Sequence, residues 1–284
     1  MSDTPVMHLL VDGVDFGEGP RWHDGRLWYS DFYQRAIYSV TIDGDRTVEF
    51  GDLDDRPSGL GWLPDGSLLA VAMTTRRLWR EDDGRLVVHA DLGTIATGHC
   101  NDMVVDAAGN AYVGNFGFDI MAGAPPCGAT VVHVAPDGAA HRAADDLAFP
   151  NGAVITPDGS TLIVGESFGA GYVAFDIADD ATLSNRRVWA SVPGTAPDGC
   201  ALDGDGAIWF SDALGSQVVR VLEGGREGET VTHRIPTPMP TYACALGGDE
   251  LQTLFVLCAP HTHPDDVAGK ALGAIFTLDL SDVR

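Results

Sequence analysis

The chain has 284 residues, of which 41 are Asp or Glu and 17 are Lys or Arg, giving a formal net charge of −24. Such an acidic balance excludes nucleic acid as an expected partner, because binding to phosphates requires a basic surface. No apolar run approaches the roughly 18 residues of a membrane-spanning helix, so we expect no membrane association. An apolar fraction of 45% with 35 glycines instead suits a compact β protein with many tight turns.

The first thirteen residues contain no basic segment followed by a long apolar one, so no secretory signal is predicted. The five cysteines are odd in number and lack C-x-x-C spacing: Cys100, Cys127, Cys200, Cys244 and Cys258. We interpret them as reduced, mostly buried thiols, and we therefore predict a cytoplasmic protein.

An apolar strand is predicted at residues 6–12, and a β-hairpin follows at residues 17–31. In the hairpin, two β-prone runs flank a turn rich in Asp and Gly. The same pattern recurs along the chain at 58–72, 101–114, 150–166, 198–212 and, in degenerate form, 242–258. The turn glycines of the first five copies are Gly25, Gly66, Gly109, Gly159 and Gly206, at intervals of 41, 43, 50 and 47 residues.

A period of this length, built from hairpins, is typical of a β-propeller whose blades each contain four antiparallel strands. Six copies predict an all-β, six-bladed β-propeller that forms one domain over residues 1–284. We expect residues 6–12 to close the ring by pairing with the last strand of blade six, near 274–280, because closure protects the sheet edges. Helical periodicity is nearly absent, so a layered α/β fold is not expected.

One polar position recurs just before the innermost strand of each hairpin. In a propeller, equivalent positions of successive blades converge on the central channel. This ring column consists of Glu18, Ser58, Asn101, Asn151, Asp198 and either Tyr242 or Ala243. Four of its members carry carboxylate or amide oxygens, which hard divalent cations prefer. Asn and Asp can also serve only to cap turns, but four such residues in one column favour a metal site.

Four motifs, in this order and at blade spacing, resemble the regucalcin/gluconolactonase family, also called the senescence marker protein family. They are GEGPRW at 17–22, CND at 100–102, PNG at 150–152 and PDG at 197–199. The resemblance covers nearly the whole chain. It implies a six-bladed propeller that holds one divalent cation and, in many members, hydrolyses lactones. It further implies that Glu18, Asn151 and Asp198 are the metal ligands and that Asn101 contacts the substrate.

Three protein oxygens leave coordination positions open on a cation, which can then polarise a carbonyl and activate water. Two anionic ligands and one neutral ligand suit Ca²⁺, Zn²⁺, Mg²⁺ or Mn²⁺. No Walker loop is present. We therefore predict a metal-dependent hydrolase that opens lactones or related esters. The resemblance implies that Asp198 is also the catalytic base, but a metal-bound hydroxide could serve instead, and the sequence leaves this open.

His99 lies two residues before Asn101, at a position where sugar-lactone-hydrolysing members of the resembled family have an arginine. An imidazole there removes a fixed cation and favours a substrate less polar than gluconolactone. A purely structural core histidine is the alternative. Glu166, which ends the second strand of blade four, is a further candidate for substrate binding, or else a solvated edge carboxylate.

Two irregular segments interrupt the repeats. Residues 115–128 form a Gly/Pro-rich insertion in blade three, which we predict lies over the channel mouth as part of the substrate pocket. Residues 259–271 contain His261 and His263. We interpret this second segment as a surface loop rather than a metal site, because no further ligands support one.

Two alternatives to lactone hydrolysis stay open. The same metal could serve another reaction, such as phosphotriester hydrolysis or a C–C bond step, because one propeller scaffold supports several chemistries. The chain could also be a non-catalytic cation-binding propeller with a partner-binding rim.

Overall fold

The computed structural model describes residues 5–120, 122–224 and 229–283. These residues form six four-stranded antiparallel sheets arranged as the blades of a propeller, which confirms the predicted fold. Within them, the helical elements are one short α-helix, α1 (Pro264–Val267), and two short 3₁₀ segments, Asp249–Leu251 and Leu280–Val283. None of these helices is long and apolar enough to cross a membrane.

The first three blades each consist of four strands that follow one another in the chain. Blade one contains β2 (Gly17–His23), β3 (Arg26–Asp31), β4 (Ala36–Val40) and β5 (Arg46–Phe50). Blade two contains β6 (Pro57–Trp62), β7 (Leu68–Ala72), β8 (Arg77–Asp82) and β9 (Arg85–Asp91). Blade three contains β10 (Cys100–Val105), β11 (Ala111–Asn115), β12 (Ala129–Val134) and β13 (Ala140–Leu147).

Blades four and five follow the same order, whereas blade six borrows its outermost strand from the start of the chain. Blade four contains β14 (Pro150–Ile155), β15 (Thr161–Glu166), β16 (Gly171–Ile177) and β17 (Leu183–Ser191). Blade five contains β18 (Pro197–Leu202), β19 (Ile208–Asp212), β20 (Gln217–Val221) and β21 (Val231–Pro236). Blade six contains β22 (Thr241–Gly247), β23 (Thr253–Cys258), β24 (Gly273–Asp279) and β1 (His8–Val14).

Ring closure occurs as predicted, with a small shift in strand bounds. β1 pairs antiparallel with β24, with His8 opposite Thr277 and Val14 opposite Gly273. The strand therefore begins two residues later than the predicted segment 6–12 and extends two residues further. This pairing completes the sheet of blade six and covers an edge that would otherwise be free.

The hairpin turns form where the sequence supplies both a short acidic side chain and a glycine. In blade two, Gly66 adopts φ +88° and donates its N–H to the Leu63 carbonyl at 2.9 Å. The neighbouring Asp65 accepts a hydrogen bond from Ser67 N at 3.0 Å. Glycine tolerates this left-handed backbone without strain, and Asp fixes the turn from its own side chain.

The innermost strands of neighbouring blades contact one another around the channel: β2, β6, β10, β14, β18 and β22. They approach so closely that a Cβ atom at Gly152 would lie 2.5 Å from the Asp198 carbonyl oxygen. Glycine at this position therefore lets blades four and five meet. Further out, apolar side chains such as Leu69, Val71 and Met103 fill the space between adjacent sheets.

Candidate metal centre and active site

The ring column lies inside the innermost strands rather than before them, so its predicted position was wrong by two residues. Each member is the second residue of its strand, and Tyr242 occupies the sixth place rather than Ala243. All six side chains are buried: Glu18, Ser58, Asn101, Asn151, Asp198 and Tyr242. The shift arises because the first residue of each strand already pairs with the neighbouring strand, as Pro150 does with Glu166.

A cavity of about 330 Å³ opens at the end of the channel where the innermost strands begin. Five ring-column side chains line it: Glu18, Asn101, Asn151, Asp198 and Tyr242. The sixth, Ser58, contacts a residue that lines the cavity, since its hydroxyl donates to Asn101 Oδ1 at 3.5 Å. The structure thus gathers residues from six blades, separated by up to 224 positions in sequence, around one cavity.

Two buried carboxyl groups in this ring, those of Glu18 and Asp198, have raised pKa values. Burial, followed by the charges of Asp198 and Asp102, raises the pKa of Glu18 well above its usual value. Burial and the charge of Asp102 raise the pKa of Asp198 to about 8. Two like charges held in an apolar surrounding disfavour each other, and a cation between them offsets that repulsion.

Asp102, the neighbour of Asn101, forms a partly buried ion pair with Arg21. Its Oδ1 accepts from Arg21 Nη2 at 2.8 Å and from Met103 N at 2.8 Å. Arg21 also donates to the carbonyl oxygens of Met103 and Pro20. This pair joins blades one and three across the channel, and Arg21 faces a separate cavity lined by later residues of the innermost strands.

The amide of Asn151 is oriented by a hydrogen-bond relay between blades four and five. Asn151 Nδ2 donates to Ser167 Oγ at 3.2 Å, and Ser167 Oγ donates to the Pro197 carbonyl at 2.7 Å. Asn151 Oδ1 is buried and has no hydrogen-bond partner among the described residues. A buried acceptor without a partner is costly unless a ligand satisfies it, so this oxygen is available to bind one.

The residues present fit a hard divalent cation. Glu18 and Asp198 supply carboxylate oxygens, and Asn151 supplies the amide oxygen that lacks a partner. Within the described part of the chain, no group of three or more His, Cys, Asp or Glu side chains is placed to hold a metal. The candidate centre has only two such residues and relies on an amide for its third ligand.

The cysteines beside the ring do not take part in it. Four of the five cysteines are buried, as expected, and all five are free thiols. Cys100, Cys200 and Cys244 pack in apolar clusters between blades. Burial raises the pKa of Cys100 and of Cys200 to about 12 and raises that of Cys244 well above its usual value, so these groups stay protonated.

A second polar column, which the sequence reading missed, closes the second strand of four blades. We call Asp31, Asn115, Glu166 and Asp212 the anchor column. Each accepts a backbone N–H from the segment entering its blade: Asp15 N to Asp31 at 2.9 Å, Gly98 N to Asn115 at 3.1 Å, Ala148 N to Glu166 at 2.8 Å and Ala196 N to Asp212 at 2.9 Å. These side chains hold the loops that lead into the innermost strands.

Glu166 belongs to this anchor column and not to the candidate site. Besides Ala148 N, its Oε1 accepts from Arg186 Nη2 at 3.1 Å. It is absent from the described residues that line the cavity. The structure therefore does not bring Glu166 to the place suggested by the sequence, because its carboxylate turns towards the blade-entry loop.

The wall of the cavity is built from two more repeated positions, one immediately before each innermost strand and one immediately after each second strand. The two positions of a blade are joined by a backbone hydrogen bond, as between Phe32 N and Phe16 O at 3.0 Å. Five such wall pairs line the cavity: Phe16/Phe32, Arg56/Met73, His99/Phe116, Phe149/Ser167 and Ala196/Ala213. The signal for them was present in the sequence, because one wall position always precedes the ring column by two residues.

His99 is thus a half-buried wall residue rather than part of a core, and its ring centroid lies 6.2 Å from that of Phe116. Asn115 fixes both sides of this pair, since its Oδ1 accepts from Gly98 N at 3.1 Å and from Gly117 N at 3.0 Å. In blade five the wall pair is Ala196 and Ala213, so the approach to Asp198 from that blade is not filled by large side chains.

Both irregular segments reach the cavity. From residues 115–128, Phe116 and Ile120 line it, and Met121 lies outside the described residues. From residues 259–271, Thr262 and His263 line it. Tyr33 Oη donates to the Thr262 carbonyl at 2.7 Å. The interpretation of 259–271 as a plain surface loop was therefore incomplete, because this contact ties it to the cavity wall.

Comparison with known proteins identifies the family. A sequence profile described as the SMP-30/Gluconolactonase/LRE-like region matches residues 16–260. The chain belongs to this family. The resemblance noted in the four sequence motifs is thereby confirmed.

Relatives of this SMP-30/gluconolactonase/LRE-like protein include regucalcins. Regucalcin of Danio rerio is 24% identical over 271 residues, with 91% of this chain and 88% of regucalcin covered. Regucalcin of Oryctolagus cuniculus is 26% identical over 300 residues, covering 98% and 95%.

Solved structures agree with the fold. A gluconolactonase from Xanthomonas campestris, 25% identical, superposes with a TM-score of 0.77 and covers 96% of this chain and 89% of its own. A luciferin-regenerating enzyme, 20% identical, gives a TM-score of 0.80 with 97% and 95% covered. A calcium-binding regucalcin from Agrobacterium tumefaciens, 22% identical, gives 0.79 with 96% and 93% covered. At 20–22% identity, the last two comparisons bear on the fold alone.

Proposed function

We propose that this protein is a metal-dependent hydrolase that opens lactones or closely related esters. The observation that carries the proposal is the cluster of two buried carboxyls, Glu18 and Asp198, with an Asn151 oxygen that lacks a hydrogen-bond partner, all lining one cavity. Membership of a family whose description includes gluconolactonase supports the same reaction class.

Glu18, Asn151 and Asp198 are the residues that would hold the cation, which is Ca²⁺, Zn²⁺, Mg²⁺ or Mn²⁺. When bound, such an ion supplies a Lewis acid that polarises an ester carbonyl and makes a water more acidic. The chain provides the negative charge that attracts it and the orientation of its neutral ligand. Ser167 supplies that orientation, because accepting from Asn151 Nδ2 leaves Asn151 Oδ1 directed to the site.

Asn101 is suited to bind the substrate. Its Oδ1 already accepts from Ser58 Oγ, so its Nδ2 group is left to donate to an ester oxygen or a substrate hydroxyl. His99, in the adjoining wall pair, offers an imidazole on the same side of the cavity. These two residues orient the ester without taking part in bond making.

Asp198 is the residue we assign as proton acceptor. It takes a proton from the attacking water as the new C–O bond forms, and it returns the proton to the ring oxygen as the acyl C–O bond breaks. The product is a hydroxy acid, and no further reagent is consumed. The small wall pair of blade five, Ala196 and Ala213, leaves space for water beside this carboxylate.

The test is lactone hydrolysis followed by acid release, on protein first treated with chelator and then supplied with each of the four cations. Asp198→Asn is compared with Asp65→Asn, a half-exposed carboxylate paired with Arg80 in a blade-two turn. We expect cation-restored turnover that Asp198→Asn abolishes and Asp65→Asn retains. Turnover that is unaffected by chelator contradicts the metal requirement, and cation binding without turnover of any lactone contradicts the reaction.

A cytoplasmic location is proposed alongside this activity. All five cysteines are free, and Cys127 is exposed. An exposed free thiol persists most readily in a reducing compartment. Fractionation of cells producing the protein tests this, and recovery outside the cytoplasm contradicts it.

A further inference from the structure

The cavity combines a charged end with aromatic walls. Seven aromatic side chains line it: Phe16, Phe32, Tyr33, Phe116, Phe149, Phe168 and Tyr242. The carboxylates and amides belong to the ring column, whereas these rings come from the wall pairs and the adjoining loops, apart from Tyr242. A ligand in the cavity therefore meets polar groups at one end and apolar surface along its sides.

The rings form two stacks, and Phe116 of the second packs against the apolar cluster that contains the first. In the first, the Phe16 centroid lies 4.8 Å from Tyr242 and 5.4 Å from Phe32. In the second, the Phe149 centroid lies 4.6 Å from Phe116 and 4.9 Å from Phe168, with interplanar angles of 15° and 26°.

The two stacks belong to opposite sides of the propeller. The first is supplied by blades one and six and the second by blades three and four, and these two seams face each other in a ring of six blades. A flat group between them would contact aromatic surface on both sides. Stacked and tilted ring arrangements at such distances are favourable for aromatic ligands.

Apolar side chains at the mouth of the cavity are left exposed to solvent. Phe168 is 53% exposed and Leu214 is 75% exposed, and both line the cavity. Contact between this apolar surface and water is unfavourable. An apolar ligand that covers the surface removes it from water, which favours binding. A polyhydroxylated ring requires a hydrogen-bond partner for each hydroxyl, and the two aromatic walls offer few.

We propose that this protein selects lactones that carry an aromatic or other flat apolar group, in preference to sugar lactones. The flat group lies between the two aromatic stacks, and the ester carbonyl lies at Glu18, Asn151 and Asp198. This inference rests on the proposed lactone hydrolysis and names the substrate class of that site.

Kinetics on three lactones test the selectivity: dihydrocoumarin with a fused aromatic ring, δ-valerolactone without it, and polyhydroxylated glucono-δ-lactone. Phe168→Ser removes one exposed member of the second stack without removing a core side chain, while Phe168→Tyr retains the ring. Val188→Ser is the matched control, because Val188 is 71% exposed on the outer strand of the same blade and lies outside the cavity.

We expect kcat/KM for dihydrocoumarin to exceed that for glucono-δ-lactone by about 100-fold, since the walls favour apolar surface. Phe168→Ser should lower kcat/KM for dihydrocoumarin about 10-fold, mainly through KM, and change that for δ-valerolactone less than about twofold. Val188→Ser should retain the wild-type values, and Phe168→Tyr, which keeps the ring, should lose less than Phe168→Ser. Equal or faster turnover of glucono-δ-lactone overturns the selectivity and leaves lactone hydrolysis intact.

A binding measurement separates failure of the selectivity from failure of the reaction. Dihydroquinolinone has the shape of dihydrocoumarin with an amide in place of the ester. Calorimetric binding of this lactam to wild type, weakened by Phe168→Ser, supports the ligand class even where no lactone turns over. Absence of lactam binding together with preferred turnover of sugar lactones overturns it.

A different observation carries a second proposal about Arg56. Arg56 lines the cavity, and its Cζ lies 5.0 Å from the centroid of the Tyr33 ring. The neighbouring Asp55 carboxylate accepts hydrogen bonds from Thr74 and Thr75. Among the described residues, no carboxylate or hydrogen-bond acceptor contacts the Arg56 guanidinium. In a chain with a net charge of −24, this is an uncompensated cation facing a binding cavity.

We infer that Arg56 binds an anionic group, such as a carboxylate, on the ligand. Benzoate and benzamide, which differ in charge and share a flat ring, are matched inhibitors of the metal-loaded protein. Arg56→Gln should raise the inhibition constant of benzoate about 10-fold and leave that of benzamide unchanged, because only the anion makes a charge-assisted contact. An equal change for both inhibitors, or none for benzoate, overturns the assignment.

Discussion

The ring column and the anchor column are made of the same residue types, but their oxygens are used differently. In the anchor column, the Asp31 carboxylate accepts from the backbone N–H groups of Asp15, Phe16, Tyr33 and Gln34. In the ring column, Asn151 Oδ1 has no partner among the described residues, and Glu18 accepts one long bond, 3.3 Å from Gly19 N. A buried side chain whose oxygens accept hydrogen bonds from the protein stabilises the fold. One whose oxygens lack such partners can bind a ligand.

The same difference appears in the electrostatics. Burial raises the pKa of Asp31, and the backbone N–H groups of Asp15, Gln34 and Phe16 oppose that rise. At Asp198, burial and the charge of Asp102 outweigh the hydrogen bonds from Asn151 and the Gly199 backbone, and the pKa rises to about 8. Hydrogen bonds within the protein therefore stabilise the ionised form of Asp31 in the anchor column. In the ring column, a bound cation would stabilise the ionised form of Asp198.

The largest expected effect is that of Asp198→Asn. It removes both a proposed ligand and the proposed base, so lactone turnover should fall by about 10³-fold or more. Kinetics with saturating cation, beside a calorimetric cation titration, measure this. In chelator the variant should unfold at the same or a higher temperature than wild type, because one of two buried like charges is gone. A variant that retains a tenth of the activity would contradict the role of Asp198.

Asp31→Ala should show the opposite profile. It leaves several backbone N–H groups without acceptors, so the free energy of unfolding should fall by about 3 kcal/mol. Urea unfolding measures the loss, and Asp31→Asn, which keeps one acceptor oxygen, should lose less. Well below the unfolding transition, kcat should stay within about threefold of wild type, as expected for an interaction of the scaffold. A selective loss of kcat with unchanged stability would remove the distinction between the two columns.

Ser167→Ala should produce an intermediate effect on the metal centre. Without its hydroxyl, the Asn151 amide is free to rotate, so cation affinity should weaken about 10-fold, as is typical for residues that orient ligands. Ser211→Ala is the matched control, because Ser211 Oγ bonds Thr241 Oγ1 between blades five and six, at 2.9 Å. Equal cation affinities for the two variants would argue against an orienting role for Ser167.

Glu166→Gln should have the smallest effect. The amide oxygen can still accept from Ala148 N, and the ion pair with Arg186 is partly exposed, so the cost should be about 1 kcal/mol or less. Lactone kcat/KM should change by less than about twofold, because no contact with the cavity is lost. A large change in KM would return Glu166 to the substrate site.

Much of the fold follows from local chemistry that the sequence displays. The Asp-Gly turns and alternating strands of the hairpins predict six blades, and the requirement to close a ring predicts the pairing of the first strand with the last. The exact residue at which each innermost strand begins was harder to predict from the sequence. Pro150 and Pro197 suggest a turn in sequence, yet each already pairs with the facing strand, opposite Glu166 and Asp212.

The site was predictable where it repeats, and unpredictable where it depends on contacts between distant loops. Glu18, Asn101, Asn151 and Asp198 share one position of the repeat and were found together. Glu166 looks like another polar residue at a strand end, and only the nearby Ala148 N–H reveals its use. The cavity role of His263 depends on a loop that reaches the wall through Thr262 and Tyr33, 229 residues apart, which no local pattern encodes.

The pairing of β1 with β24 also has a consequence for how the molecule is assembled. His8 lies opposite Thr277, so the ring closes through one of the longest sequence separations in the chain. During synthesis β1 emerges before the other 23 strands described here, and β24 emerges last among them. Five blades can therefore form on the ribosome before the sixth receives its outer strand. Contacts so distant in sequence slow folding, and an incomplete chain presents the open edge of β1 to chaperones and to other copies until synthesis is finished.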